Sequence, residues 1–403
     1  MMHELIRIAD EITGGVRETL SHMRDHIRGV LLDVDDHWEF LELMHAMDSL
    51  PLHYPDNWLM DDFHALATRK RLLYDVTPNL SFRPPRWHEH CRNMGYPKDA
   101  KPFVIRVILK HDRRKKALDA PRSYMDYPIV YEVRRSNRAL SFWSALGRLT
   151  ELSQLRGESR LKKAPSIGRA DPHTAGTLGG ILAGREANRY LVTCGHVLGP
   201  PETHVYAPGP YEGKAFRPIG PVRHWTMPNA GTTSDPCSEQ VTPGAARLDL
   251  AIAEIADAGA ISEMGYISNP SSVMSIASMR KNQPISLIGK NDGHITAKLG
   301  ALTLWDQIEF PDESGKRSTD KVMRCFGRIF EIKPPGRQYV VEHLVKPGDS
   351  GSWITFEADE DSTAWCGMVM SGDGPQAYAC FAEYILEETR VCGVFAGGLG
   401  IVP

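Results

Sequence analysis

Tyr190-Leu191-Val192-Thr193-Cys194-Gly195-His196-Val197 opens with a short run of aromatic and β-branched residues and carries a histidine directly after it. Such a run suits a pleated, half-buried surface, so it reads as a strand with a histidine at its end. Alone, a histidine after a strand is more often packed than reactive. Working outward, the chain after Pro165 is a series of similar β-rich runs, among them Ala251-Ile252-Ala253 and Pro284-Ile285-Ser286-Leu287-Ile288. Gly, Pro and Asn turns separate them, and this spacing predicts a sandwich or barrel.

Two further patterns lie in the same region: Asp249-Leu250-Ala251-Ile252, which alone reads as a strand entry, and Gly348-Asp349-Ser350-Gly351, which alone reads as a turn. Taken with Thr193-Cys194-Gly195-His196-Val197, they resemble the three triad blocks of the chymotrypsin-like (trypsin-fold) serine peptidases. The order is that family's His, Asp, Ser, with separations of 53 and 101 residues. The resemblance covers roughly residues 164–395. It implies an all-β double-barrel chymotrypsin-like catalytic domain over 164–403, with each barrel supplying part of a cleft. An α/β-hydrolase reading fails twice, because Ser352 stands where G-x-S-x-G needs its second glycine and His196 precedes Ser350.

The chemistry explains the residue types. A serine hydroxyl is a poor nucleophile at neutral pH and needs an adjacent base, itself oriented by a third group. The resemblance makes Ser350 the nucleophile, His196 the base that takes its proton and returns it to the leaving amine, and Asp249 the group that fixes the imidazole tautomer. Glycines beside the serine permit a tight turn that aims backbone N–H groups at a developing oxyanion, here those of Gly348 and Ser350. Ser352 is a neighbouring hydroxyl without the preceding Gly-Asp. Ala175 to Leu182 looks like the opening strand of intracellular bacterial trypsin-like peptidases. Gly367-Met368-Val369-Met370-Ser371-Gly372 looks like the strand that lines the specificity pocket and pairs with substrate backbone, which puts Met370, Ser371 and Gly372 at the substrate. The last strand and the C-terminal segment follow over Tyr378 to Ile385.

Three departures from the family limit what the resemblance carries over. Val197 replaces the cysteine that usually follows the triad histidine, and no Ile-Val-Gly-Gly activation site is present. Asp349 is therefore expected to lack a newly cut amino terminus as its partner. The pocket floor, six residues before the nucleophile, falls on Leu344, where no carboxylate is available to pair with Arg or Lys. An apolar or small side chain is expected there, although His343 and Lys346 nearby would suit an acidic one.

Upstream, Leu5, Ile8, Ile12, Val16, Leu20, Met23, Ile27 and Leu31 recur at steps of three and four and predict one buried helical stripe, bent or broken at Gly14-Gly15. Further helices are expected from Asp35-Asp36 to Met47 and over about 61–73. Residues 1–97 thus read as a helical domain, a self-contained core or a surface for a protein partner. Phe103 to Leu109 and Tyr127 to Val133 read as strands of a small α/β unit over 98–163, completed by a helix over about 140–155 and a polar connector. The basic run His111-Asp112-Arg113-Arg114-Lys115-Lys116 lacks interleaved aromatics and reads as a solvated loop.

At 403 residues, the chain is long enough for roughly two or three domains. Its 47 Lys and Arg against 50 Asp and Glu leave a net charge of −3, so no overall field favours nucleic acid or an anionic membrane. No stretch approaches the ~18 apolar residues of a membrane helix. The start lacks a basic region followed by a continuous apolar core, so no signal peptide is expected. Seven cysteines form no C-x-x-C pair, which favours reduced thiols and a cytoplasmic protein. His88-Glu89-His90-Cys91 has metal-binding residue types, but neighbours on extended chain point to opposite faces, and neither a metal nor a cofactor is expected. The expected activity is a serine endopeptidase acting on protein or peptide substrates, of narrow specificity and restrained by its N-terminal region, in a bacterial defence or stress system. The competing reading is a non-catalytic scaffold that keeps the fold, and a third is an esterase on the same site.

Overall fold

A computed structural model of the chain describes residues 2–34, 103–110, 120–121, 123–134, 138–139, 163–170, 175–210, 216–228, 248–256, 267–291, 293–311, 321–335, 343–359, 362–372 and 374–402. The helices expected over 35–47, 61–73 and 140–155, the 88–91 cluster and the 111–116 basic run lie outside these residues. Among the described residues no helix is long and apolar enough to cross a membrane.

The N-terminal segment forms α1 (Met2–Thr19), β1 (Ile27–Val34), β2 (Phe103–Leu109), β3 (Ser123–Tyr124), β4 (Tyr127–Val133) and β5 (Arg138–Ala139). The middle forms β6 (Ser166–Arg169), β7 (Gly176–Thr177), β8 (Gly180–Ala183), β9 (Arg189–Thr193), α2 (Gly195–Leu198), β10 (His204–Ala207), β11 (Arg217–Thr226) and β12 (Leu250–Glu254). The last part forms β13 (Ser272–Val273), β14 (Pro284–Gly289), β15 (Gly293–Pro311), β16 (Lys321–Phe326), β17 (Ile329–Lys333), β18 (Trp353–Asp359), β19 (Ser362–Gly372), β20 (Ala377–Phe381), α3 (Ala382–Val391) and β21 (Gly400–Ile401).

Two β-assemblies result. The first is open, in the order β21-β8-β9-β12-β11-β10-β6-β7, a half-barrel. In the second, β14 pairs with β15, β15 with β17, β17 with β20, β20 with β19, β19 with β18, and β18 returns to β14. Six antiparallel strands therefore close on themselves, a solution that leaves no edge unpaired around the ring. The expected two-barrel layout is met by one closed barrel and one half-barrel. Trp353 on β18 and Trp365 on β19 stack with ring centroids 4.0 Å apart, and the Trp353 ring lies against Gly179 and Gly180, where an added Cβ would stand 2.2 and 2.4 Å from it.

The helical stripe is shorter than its spacing suggests. Leu5, Ile8, Ile12 and Val16 are the buried face of α1, which runs unbroken through Gly14-Gly15 to Thr19. Ile27 and Leu31, expected on the same helix, belong instead to β1, a strand buried along all eight residues. It pairs antiparallel with β15, Gly29 opposite Asp306 and Leu32 opposite Leu302. The helical steps of three and four continue by coincidence into a run whose β-branched Ile27, Val30 and Val34 favour the extended chain.

Contacts divide the chain into two units. The larger comprises residues 1–33, 105–121 and 130–403, and the smaller 34–104 and 122–129. In the smaller, β3 and the start of β4 form a hairpin, Tyr124 opposite Tyr127, turning through Met125 and Asp126 at φ 44° and 66°.

Within the larger unit a buried charge cluster ties the N-terminal strands to the closed barrel. Arg106 on β2 meets Glu132 on β4 at 2.7 Å, Glu331 on β17 at 2.9 Å and Asp33 on β1 at 3.1 Å. Arg134 reaches Glu331 and Glu132 at 2.8 Å each, and Lys281 reaches Asp33 at 3.0 Å. Burial by itself pushes the Asp33 and Glu331 carboxyls up, but the surrounding Arg106, Lys333 and other cations overturn that and hold both well below the ordinary range.

The cysteines correct one expectation. Cys194, Cys366, Cys380 and Cys392 are free thiols, but Cys325 is disulfide-bonded, its partner lying outside the described residues. The absence of C-x-x-C spacing did not exclude a bridge between cysteines far apart in sequence.

Because Glu331 and Asp33 titrate lower folded than unfolded, their stabilisation is complete above the unfolded carboxylate range near pH ~4 and declines as pH falls below it. Thermal unfolding followed from about pH 6 down to about pH 2 is expected to show that loss. Glu331→Gln should cost roughly 3–5 kcal/mol at neutral pH, since it leaves Arg106 and Arg134 short of a buried counter-charge. Its acid-dependent loss should be shallower than that of the unaltered protein.

Candidate active site

The three sequence blocks converge where the half-barrel meets the closed barrel. β9 ends at Thr193 and the chain turns into the single-turn α2, which carries His196. Antiparallel pairing of β12 with β9, Ala251 opposite Thr193, brings the preceding Asp249 alongside that turn. Asp249 is fully buried, and both its oxygens are engaged by one residue. Oδ1 accepts the His196 backbone N–H at 2.9 Å, and Oδ2 lies 2.5 Å from His196 Nδ1. On the other side of the ring, Nε2 lies 3.0 Å from Ser350 Oγ. The tautomer with its proton on Nδ1 satisfies both contacts and leaves Nε2 as the acceptor facing the serine.

The imidazole is also held from the side. Phe310 at the end of β15 presents a ring edge-on, centroids 5.5 Å apart, and Phe310 stacks on Phe326. Trp225 Nε1 donates to the Gly195 carbonyl at 3.1 Å, which fixes the turn before the histidine.

Gly348 and Gly351 bracket the serine loop at φ 98° and 94°, a region that side-chain-bearing residues rarely enter. A Cβ on Gly351 would also stand 2.0 Å from Thr193 Oγ1. Asp349 N–H donates to Lys346 O, Gly351 N–H to Val369 O and Ser352 N–H to Asp349 O. The amides of Gly348 and Ser350, expected as oxyanion donors, donate to no acceptor among the described residues. Ser352 Oγ is buried without a hydrogen-bond partner among the described residues, so no base addresses it.

Asn291 is the residue that sequence reasoning missed. The buried Asp349 carboxylate accepts its side-chain Nδ2–H at 3.0 Å and the Lys346 N–H at 2.8 Å. The same amide group donates to Pro347 O at 2.9 Å. In place of a cut amino terminus, the turn after β14 supplies Asp349 with a hydrogen-bond partner. A lone asparagine in a turn carries no signal that distinguishes it from an ordinary turn residue.

The expected pocket residues are distributed unevenly. Leu344 is buried, its N–H donating to Gly374 O at 2.9 Å. Met370 turns its side chain into the hydrophobic core, and its carbonyl lies 3.1 Å from Ser350 Oγ, a second acceptor that competes with His196 Nε2 for the one hydroxyl proton. Ser371 is buried with its hydroxyl unpartnered among the described residues, and Gly372 ends β19.

Cys194, His196 and Asp249 each place a donor atom within 4.8 Å of the others, a grouping of metal-ligand types. The Cys194 thiol is pushed up by burial and then by the Asp249 charge, and it donates to Val369 O at 3.1 Å. It stays a protonated thiol, and Asp249 is already committed on both oxygens. The trio reads as the flank of the histidine site.

No family model and no curated protein matches the chain. Solved structures similar to it include the Nocardiopsis protease NAPase, at 14% identity and TM-score 0.32 over 57% of this chain and 95% of that one. Cellulomonas bogoriensis chymotrypsin is 15% identical at TM-score 0.31, over 60% and 97%. A glutamic-acid-specific serine protease described as using a histidine triad in substrate binding is 14% identical at TM-score 0.32, over 55% and 94%.

Gly351→Ala combines a disfavoured φ with a clash, and is expected to cost roughly 2–5 kcal/mol in urea unfolding. Gly393→Ala is the comparison, since its φ is also positive at 74° but nothing lies within 4 Å of the added methyl. It should cost only the backbone strain.

Proposed function

We propose that the protein is a serine endopeptidase that cleaves protein substrates through an acyl-enzyme. The observation that carries this reading is the bridging position of His196, 2.5 Å from Asp249 on one ring nitrogen and 3.0 Å from Ser350 on the other. Ser350 Oγ attacks the scissile carbonyl while His196 Nε2 takes its proton. The oxyanion forms facing the amides of Gly348 and Ser350. The imidazolium, stabilised by Asp249, returns the proton to the leaving amine, and water then releases the acyl group by the reverse use of His196. The burial of Leu344 and the absence of a carboxylate at that position favour an apolar or small side chain next to the cut. Narrow specificity and restraint by the N-terminal region complete the proposal.

The scaffold reading makes a different forecast, so the two separate cleanly. Unaltered and Ser350→Ala protein are incubated with a diverse peptide library and cleavage is read by mass spectrometry. Ser350-dependent cuts support the peptidase. If no cut and no labelling of Ser350 by a small fluorophosphonate occurs, the scaffold reading replaces it. Cleavage of esters without amides would make it an esterase.

Asn291→Ala should leave the protein folded and lower kcat by up to about 100-fold with KM little changed, because it loosens Asp349 and with it the amides beside Ser350. Asn291→Asp should not rescue it, since it would set a second carboxylate against Asp349.

A further inference from the structure

One edge of β19 changes partner along its length, and the order of partners is informative. Met368 pairs with Trp353 of β18. Val369 comes next and is bonded by the serine loop, its carbonyl accepting Gly351 N–H and its N–H donating to Ser352 O, both at 3.0 Å. The carbonyl of Met370 then lies 3.1 Å from Ser350 Oγ. Beyond it, Ser371 and Gly372 are paired by β5, Ala139 opposite Ser371 and Arg138 opposite Gly372. β20 covers the other edge over the same residues. β5 therefore continues the line of the nucleophile loop along β19.

Its second neighbour leads to the same place. Arg138 also pairs with Glu309 of β15. The next residue, Phe310, packs its ring against His196. The two strands that flank β5 are thus the two that touch the histidine and the serine.

Direction decides what such a strand is. β5 runs antiparallel to β19, so going from Arg138 to Ala139 leads from Gly372 towards Met370 and Ser350. A peptide attacked by Ser350 carries its acyl portion on the N-terminal side of the bond. Paired to this edge, it must arrive at the serine with its C-terminal end. β5 has that polarity, and its backbone supplies the strand-addition contacts by which extended peptides bind sheet edges.

We propose that β5 is a substrate-like strand held in cis, which fills the acyl-side binding edge and keeps protein substrates out until it is displaced. The proposal rests on the peptidase reading, and its test separates the two. Arg138→Pro/Ala139→Pro removes the backbone donors that a paired strand needs. Two labelled probes are compared on full-length protein: a small fluorophosphonate, which needs only Ser350, and an Ala-Ala-Leu diphenyl phosphonate, which must also occupy the edge of β19.

If β5 fills the edge more than about nine-tenths of the time, the peptide probe should label the variant at least about tenfold faster than the unaltered protein. The small probe should change far less. Equal peptide-probe rates in the two proteins would overturn the cis strand while leaving the peptidase standing. So would an equal rise for both probes, which marks general loosening. Ser350 unlabelled by either probe in either protein would remove the peptidase reading and this proposal with it. Ala139→Pro alone is the second variant if the double substitution lowers the melting temperature.

Discussion

Everything at the site depends on how the half-barrel is sewn to the serine loop. Thr177 on β7 donates its N–H to Ser350 O and its hydroxyl to Gly348 O, both at 2.8 Å. Thr193 in turn donates its hydroxyl to Thr177 O at 3.0 Å. Thr193 ends the strand that delivers His196, and Gly348 to Gly351 form the loop that delivers Ser350, so two buried threonines couple the histidine turn to the serine loop. Such buried hydroxyls are either fully bonded or costly, which makes the arrangement specific as well as strong. The glycine at 351 follows from the same approach, because a Cβ there would occupy the place of the Thr193 hydroxyl.

The N-terminal strands stand in a different relation to the barrel. Besides the ladder between β1 and β15, they are joined to it by charge: Asp33, Glu132 and Glu331 among Arg106, Arg134, Lys281 and Lys333. Tyr378 on β20 adds a hydroxyl that both Arg28 and Arg134 address, at 3.2 and 3.0 Å. A buried cluster of this kind adds little net stability over a well-packed apolar core, but it penalises any arrangement that leaves one member unpaired. It therefore fixes how β1, β2 and β4 seat on β15 and β17. The helix α1 is anchored separately, Met2 N–H donating to Met279 O and Asp10 pairing with Arg328 at 2.6 Å.

The blocks that carry His196, Asp249 and Ser350 were legible in the sequence because the chemistry proposed for them demands particular residue types in short blocks, and those blocks carry their own turn glycines. Strands Phe103–Leu109 and Tyr127–Val133 were equally legible, since their continuous apolar runs are bounded by turn residues. What escaped had no local signature. β1 is buried on both faces, so the period-two alternation that marks a half-buried strand is missing, and the three-and-four spacing of α1 runs on through it. Asn291 acts through a carboxylate 58 residues away, and the charge cluster joins residues as far apart as Arg106 and Glu331. The two-residue β5 is too short for any pattern, and its meaning lies wholly in what it pairs with.

These features together constrain how an activity of the proposed kind is controlled. One route is assembly: the site stays disordered until a cut or a ligand completes it. Here Asp249, His196 and Ser350 are already within contact distance, and Asp349 already has Asn291 and the Lys346 amide as partners. Assembly leaves nothing to switch. The remaining route is access, and access to a site on a sheet edge is governed by whatever strand holds that edge. A tethered strand needs little intrinsic affinity, because its effective concentration at the edge is set by the chain itself. It also needs few contacts to be removed, which suits a strand of two residues placed at the boundary between the N-terminal region and the barrels.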